Sequence, residues 1–149
     1  MRLNQKTPNP QKQNCSFIFK STTFLKLSLL IILIPIGLLT KVYSGIGSEF
    51  VINYFGGVIY VLFFIVLASL IFPQAGPLKV SFIIFFITSL IELSQLVQND
   101  FLNSLRTNFL IRSLIGSVFN LSDFVFYFVG ALIGYGILMG LKIRSKNSE

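Results

Sequence analysis

One carboxylate lies inside an apolar stretch of this chain that is otherwise almost free of charge. Glu92 lies about fourteen residues into the run 78–96, whose only other charged residue is Lys79. An ionised group near mid-membrane costs about 2.5–3.5 kcal/mol on insertion scales, so it needs a partner, a water-filled cavity or a proton. Glu92 is therefore the first candidate for chemistry.

Polar neighbours share a helix face with Glu92. Residues three and four apart lie on the same face of a helix, and this spacing relates Thr88, Ser89 and Gln95 to Glu92. In one interpretation the role of Glu92 is purely structural: it is neutral, hydrogen-bonds to Gln95 and to a neighbouring helix, and only joins the helices together. The alternative interpretation is a ligand site or a proton site.

Asp123 and Arg106 are the charged residues expected nearest to Glu92. Asp123 follows Ser122 at the beginning of another apolar run, where Ser or Asp would cap free N–H groups. Arg106 lies in the polar stretch between the two runs. It would pair with a carboxylate, hold a lipid phosphate in a bidentate fork, or merely snorkel from an interfacial helix. We predict a binding cluster of Glu92, Gln95, Arg106 and Asp123.

Rare residue types exclude much other chemistry. The chain has no His and one Cys, which excludes a His-based triad, a His-ligated zinc site and an internal disulfide. Any acid–base chemistry would depend on five carboxylates. The sequence therefore predicts no metal and no cofactor, and a lipid-modifying enzyme is the least favoured function.

Composition and hydropathy indicate a membrane protein. Of the 149 residues, 54% are hydrophobic and 11% are charged, whereas a soluble domain carries about 25% charged residues. Apolar runs at 24–39, 50–72, 78–96 and 121–141 each approach or reach the length that crosses about 30 Å of hydrocarbon. A cleaved signal peptide is the alternative for the first run, but no clean small-residue cleavage site follows it.

The predicted fold is all-α and integral to the membrane, with four transmembrane helices and an amphipathic interfacial segment between the third and the fourth. We expect a flexible basic tail at 1–23, a single four-helix domain at 24–141 and a basic tail at 142–149. With the N-terminus inside, nine of the twelve Lys and Arg residues lie on the cytoplasmic side. Both termini are therefore predicted to be cytoplasmic, with the segment 97–120 facing outward.

Glycines four residues apart predict close helix packing in the last run. Gly130 and Gly134 form one such pair, and Gly136 and Gly140 form another; small residues let two helix backbones approach. We expect this face to pack against the third helix of the same chain. That packing would bring Tyr127 close to the Glu92 stripe.

Several of these motifs occur together in a known group of proteins. The chain resembles VanZ-like bacterial membrane proteins, and most closely a small uncharacterised family among them that is filed as a domain of unknown function. The resemblance covers about residues 24–141. It rests on Ile91-Glu92-Leu93-Ser94-Gln95-Leu96, Leu105-Arg106-Thr107, Phe119-Asn120-Leu121-Ser122-Asp123, Tyr127, Gly130 and Gly134.

The resemblance implies a bacterial plasma-membrane protein in a cell-envelope context, since VanZ proteins are linked to glycopeptide resistance. It supplies no reaction. Members of the small family often carry an acidic residue early in the second helix, where this chain has Gly57. A second carboxylate facing Glu92 is therefore missing, which weakens a proton-relay or metal mechanism.

The favoured function is a non-enzymatic membrane protein whose outward polar cluster binds a lipid headgroup, an envelope amphiphile or a glycolipid. In it, Arg106 contacts an anionic group and Asp123 orients Arg106. The alternative is a small proton- or solute-translocating protein that uses Glu92 as a gate, as an oligomer. Nucleic acid is not an expected partner, because eight of the twelve basic residues lie in the first 26 and last eight positions, where anionic lipid attracts them.

Overall fold

A computed structural model describes the chain over residues 10–96, at 104, 107 and 108, and over 119–146. The secondary structure of these residues is helical. Within residues 10–96 and 119–146, five α-helices follow in chain order, with a π-helical segment, Val51–Phe55, between the second and the third. They are α1 (Pro10–Val42), α2 (Ser48–Phe50), α3 (Gly56–Ile71), α4 (Pro77–Ser94) and α5 (Leu121–Lys146).

Helix α1 contains the first predicted apolar run. It begins at Pro10, inside the segment predicted as a tail, and continues through Pro35 to Val42. Its portion Thr22–Val42 is long and apolar enough to cross a membrane. A turn follows in which Gly47 has φ 75°, in the left-handed region that residues with a Cβ rarely adopt.

Helices α2 and α3 and the π segment form one continuous helical stretch. The N–H of Gly56 donates to the carbonyl of Val51, five residues earlier, so one extra residue is accommodated without breaking the helix. Helix α3 is the centre of the bundle and packs against α1, α4 and α5. Its residues Val61, Ile65 and Val66 are fully buried.

Helices α4 and α5 also have the length and composition of membrane spans. Pro77 occupies the first turn of α4, where its missing N–H needs no partner and its fixed φ favours the helix. Helices fit to cross a membrane therefore occupy three of the four predicted runs, the first, third and fourth. The regular α-helix in the second run, α3, is apolar but shorter.

The described helices place apolar side chains outside and several polar side chains inside. Ile31, Phe82 and Leu121 are each at least 66% exposed, whereas Thr88 and Glu92 are at most 3% exposed. Several buried hydroxyls donate to carbonyls of their own helix: Thr40 to Gly37, Ser69 to Val66, and Thr88 to Ile84 and Phe85. This pattern suits helices whose outer faces contact lipid.

The glycine face of α5 packs against α3, which corrects our prediction that it packs against the third predicted helix, α4. A Cβ atom at Gly130 would lie 2.8 Å from the carbonyl oxygen of Val58, and one at Gly134 would lie 2.7 Å from Cδ1 of Ile65. No described atom lies within 4 Å of a Cβ placed at Gly136. Helical spacing predicted the small-residue face but not which helix would cover it.

The helices run alternately up and down. Lys26, near the start of the apolar part of α1 (Thr22–Val42), contacts Ser69 near the end of α3, while Thr40, near the end of α1, lies beside Gly56 at the start of α3. The end of α4 and the start of α5 lie together at the same end as Gly56. Of the residues predicted as a site, Glu92, Gln95 and Asp123 therefore lie at one end of the bundle.

Candidate functional site

Glu92 is held by three hydrogen bonds from three parts of the chain. Its side chain is 1% exposed. Oε1 accepts the backbone N–H of Asn120 at 3.0 Å, and Oε2 accepts Nε2 of Gln95 at 2.8 Å and the hydroxyl of Tyr127 at 2.9 Å. Both carboxyl oxygens of Glu92 therefore act as acceptors for donors of the same chain.

The end of α4 presents Glu92 and Gln95 together. The helix ends at Ser94, and the N–H of Gln95 donates to the carbonyl of Glu92 at 3.0 Å, which leaves both side chains on the inner face. The predicted Gln95–Glu92 contact is therefore present, and both residues are buried. Thr88, one turn earlier on the same face, is also buried.

Asn120 joins the beginning of α5 to Glu92, and the sequence did not single it out. Its Oδ1 accepts the N–H of Ser122 at 3.2 Å, while its own N–H donates to Glu92. The N-cap of α5 is therefore Asn120, and the prediction that Ser122 or Asp123 caps this helix is wrong. Asn is among the best N-cap residues, so its position immediately before the apolar run was the available indication.

Tyr127 reaches Glu92 from α5, as expected, although the glycine face of α5 packs against α3 and not against α4. The hydroxyl lies between helices, and Gly57 of α3 is directly beside the ring: a Cβ there would be 3.1 Å from Cε1 of Tyr127. Gly57 stands where members of the family often carry an acidic residue. In this chain it contacts Tyr127, the residue that donates a hydrogen bond to Glu92. In this chain, the space beside Gly57 admits the tyrosine ring.

Asp123 lies near Glu92 but differs from it in hydrogen bonding. Its Oδ1 is inaccessible to solvent and has no hydrogen-bond partner among the described residues. Glu92 and Lys41, at the end of α1, both lie within electrostatic range of Asp123. The described part of the chain thus brings Glu92, Gln95 and Asp123 together, with Lys41 as an additional cation that the predicted cluster did not include.

Arg106 lies outside the described residues, as does most of the segment predicted to be amphipathic. The predicted pairing of Arg106 with Asp123 therefore remains a prediction. Within the described part of the chain, no group of three or more acidic, histidine or cysteine side chains comes together that would hold a metal ion.

Aromatic rings surround the polar cluster on the α3 side. Tyr54, in the π segment, stacks on Phe126 of α5 with ring centroids 4.5 Å apart, and Phe50 meets both rings edge-on. Aromatic residues collect where a membrane span meets water. The aromatic cluster and the Glu92 network thus lie at the same end of the bundle.

Taken together, the fold and the polar cluster define a helical membrane protein with a buried carboxylate at the junction of two helices. The chain belongs to the family described as "Protein of unknown function (DUF2809)", whose family model matches residues 46–131. The match is shorter than the predicted 24–141 and leaves α1 outside it. It includes Glu92, Gln95, Asn120, Asp123 and Tyr127.

Two other comparisons returned no relative. No curated protein and no solved structure matches the chain. The family assignment is supported by this match, whereas the broader VanZ-like resemblance is carried by the sequence motifs alone.

Proposed function

We propose that this chain is a multi-pass plasma-membrane protein of bacteria that binds the polar headgroup of a lipid or envelope amphiphile at the Glu92 end of the bundle. The observation that carries the proposal is the buried Oδ1 of Asp123, which has no hydrogen-bond partner among the described residues, beside a Glu92 that accepts three hydrogen bonds. A buried acceptor without a donor is costly. A ligand that brings an N–H or O–H group to Asp123 would remove that cost.

The proposal includes a fourth membrane span formed by α2, the π segment and α3. Helical backbone is continuous from Ser48 to Ile71, which at about 1.5 Å per residue extends about 36 Å. Contacts of α3 with α1 occur at both ends, at Gly56–Thr40 and at Ser69–Lys26. A helix that accompanies a membrane span over this length would cross the membrane with it.

Cysteine accessibility tests the fourth span directly. In a Cys15→Ser background, single cysteines replace Ser48 and Gln74, which lie at opposite ends of the stretch and are at least partly exposed. A membrane-impermeant maleimide applied to intact cells should label position 48 and leave position 74 unlabelled until the cells are opened. Labelling of both positions from outside would exclude the span, and the reverse pattern would place the termini outside.

Within the proposed site, each residue has a distinct role. Glu92 is a positioning residue, because its oxygens are already occupied by three donors of the same chain. Asp123 provides the acceptor for a headgroup ammonium or hydroxyl. Arg106 is proposed as the contact for an anionic group, because a guanidinium holds phosphate in a bidentate fork.

Headgroups with and without N–H donors test the role of Asp123. Phosphatidylethanolamine carries an ammonium with three N–H donors, whereas the quaternary ammonium of phosphatidylcholine has none. We expect phosphatidylethanolamine to raise the melting temperature of the detergent-purified protein more than phosphatidylcholine does. A glycolipid with a diglucosyl headgroup should raise the melting temperature in the same way, because its hydroxyl groups are donors.

The Asp123→Asn variant should lose this difference, since the amide is a weaker acceptor and carries no charge. The matched control is Ser122→Ala, on the same turn of α5, which should respond to lipid as the wild type does. Equal stabilisation of the wild type and Asp123→Asn by all three lipids would rule out the proposed role.

Translocation through Glu92 is the competing function, and proton flux separates the two. A gate must exchange its proton or ligand with water, whereas Glu92 is 1% exposed and has three hydrogen-bond donors from its own chain. We therefore expect liposomes with the wild type and with Glu92→Gln to show the same proton leak. A leak present in the wild type and absent in Glu92→Gln would favour translocation.

A further inference from the structure

A second polar region lies at the opposite end of the bundle from Glu92. A cleft of about 580 Å³ opens between residues 22–26 in the middle of α1, the turn after α3 and the last turns of α5. Its polar lining consists of Thr22, Thr23, Lys26, Gln74, Lys142 and Ser145, with Ser69 and its backbone. No carboxylate is among the described residues that line this cleft.

Lys26 is held in place at the wall of the cleft. Its Nζ donates to the carbonyl oxygen of Ser69 at 3.2 Å, in the last turn of α3, where the helix dipole favours a positive charge. An ammonium has three N–H donors, so one bond to the backbone orients Lys26 and leaves donors for a ligand. The side chain is half-buried, so its charge lies in the cleft rather than in open water.

Lys142 contributes a second cation from α5. Hydroxyl groups of Thr22, Thr23 and Ser145 lie around the two lysines. Helix α4 also begins at the cleft, because Pro77 is a lining residue, and the N-terminal end of a helix favours an anion. Two ammonium groups, several hydroxyls and no carboxylate match an anion with several acceptor oxygens, such as a phosphate group.

The depth and surroundings of the cleft indicate that this phosphate belongs to a lipid. Lys26 is the last charged residue before the uncharged stretch 27–40, and Lys142 is the first after the uncharged stretch 124–141, positions from which lysine reaches the lipid headgroups. Apolar side chains border the cleft, with Leu70, Leu138 and Leu141 in its lining and Ile71 and Leu78 exposed next to it. Acyl chains would lie along these exposed side chains.

We propose that this cleft binds the phosphate of an anionic membrane lipid, with Lys26 and Lys142 as its two cationic contacts. The proposal does not depend on the function assigned to the Glu92 end. On the predicted orientation, this end faces the cytoplasm, where anionic lipids attract basic residues.

Native mass spectrometry of the full chain tests the proposal. Phosphatidylglycerol and phosphatidylcholine are titrated separately into the protein in detergent, and the lipid concentration that gives half occupancy is measured. We expect phosphatidylglycerol to bind at a lower concentration. Lys26→Gln and Lys142→Gln should each raise that concentration about tenfold, which corresponds to the loss of one charge-assisted hydrogen bond.

The matched control is Lys79→Gln. Lys79 is exposed and lies two residues after Pro77, but it is outside the cleft lining, so this variant should bind phosphatidylglycerol as the wild type does. Lys142→Arg, which keeps the charge, should also retain binding. Because Lys142 is exposed, Lys142→Gln tests the site independently of any effect of Lys26→Gln on folding. Equal loss of affinity in all three glutamine variants would indicate general surface charge and overturn the site.

Inorganic phosphate distinguishes the two sources of the anion. If the ligand is a lipid, millimolar phosphate should leave phosphatidylglycerol bound, because the acyl chains contribute to its affinity. Displacement of the lipid by millimolar phosphate would instead show a site for the free anion and would refute the lipid assignment.

Discussion

The hydroxyl of Tyr127 donates to Oε2 of Glu92 at 2.9 Å, across 35 positions of the chain. This bond joins α4 to α5 at the place where α3 contributes only a glycine, Gly57, beside the tyrosine ring. Three helices are thus brought into register around one carboxylate. A buried polar contact of this kind specifies how helices pack where apolar surfaces alone do not distinguish one alignment from another.

Removal of the Tyr127 hydroxyl should destabilise the bundle. Tyr127→Phe removes one donor from a buried carboxylate, and we expect the free energy of unfolding to fall by about 1–3 kcal/mol. The measurement is chemical unfolding in detergent followed by circular dichroism. Tyr135→Phe, on the same helix but away from Glu92, is the control. In a double-mutant cycle with Glu92→Gln, a coupling energy near zero would contradict a direct bond.

A methyl group at Gly130 should disturb the contact of α5 with α3. A Cβ there would lie 2.8 Å from a backbone oxygen of Val58, which moves only if the helices move apart. Gly130→Ala should therefore lower the free energy of unfolding by about 1–3 kcal/mol. Gly136→Ala, where no described atom lies within 4 Å, should be neutral or stabilising because alanine favours helix. Equal stability of the two variants in thermal melts would contradict the packing.

Substitution of Gly57 should act through Tyr127. In Gly57→Ala the new methyl group would be 3.1 Å from Cε1 of the ring, so the ring must shift by a few tenths of an ångström and the bond to Glu92 must lengthen. We expect a loss of stability smaller than that of Gly130→Ala, because a side chain yields more easily than backbone. In a Tyr127→Phe background, Gly57→Ala should lower the free energy of unfolding by a smaller amount. If Gly57→Ala lowers the free energy of unfolding equally in both backgrounds, Gly57 does not act through the bond between Tyr127 and Glu92.

Loss of the Asn120 cap should weaken the beginning of α5. Asn120→Ala removes the acceptor for the N–H of Ser122 and should lower the free energy of unfolding by about 0.5–2 kcal/mol. Asn120→Ser retains a cap oxygen and should stay close to the wild type. Hydrogen exchange at residues 121–123 would report the fraying directly. Unchanged exchange in Asn120→Ala would argue that the backbone bond to Glu92, which both variants keep, secures this end rather than the cap.

Much of the architecture was predictable because it depends on local sequence. Runs of apolar residues predicted the helices now seen as α1, α4 and α5, since a lipid-facing helix must be apolar along its whole length. The same rule marked Glu92 as exceptional, and helical spacing correctly placed Gln95 on its face. Hydropathy alone did not reveal the π segment, because one extra backbone residue leaves the apolar composition unchanged.

Only the tertiary structure decided which groups meet. Spacing showed that Gly130 and Gly134 share a face, but our choice of α4 as the helix that covers it was wrong, because α3 and α4 are both apolar and spacing does not distinguish them. Asn120 was overlooked because its bond to Glu92 uses a backbone N–H, which every residue except proline carries. Side-chain periodicity reports the direction in which a helix faces. The partner on that face depends on how the connecting segments arrange the helices, and this arrangement leaves no periodic pattern in the sequence.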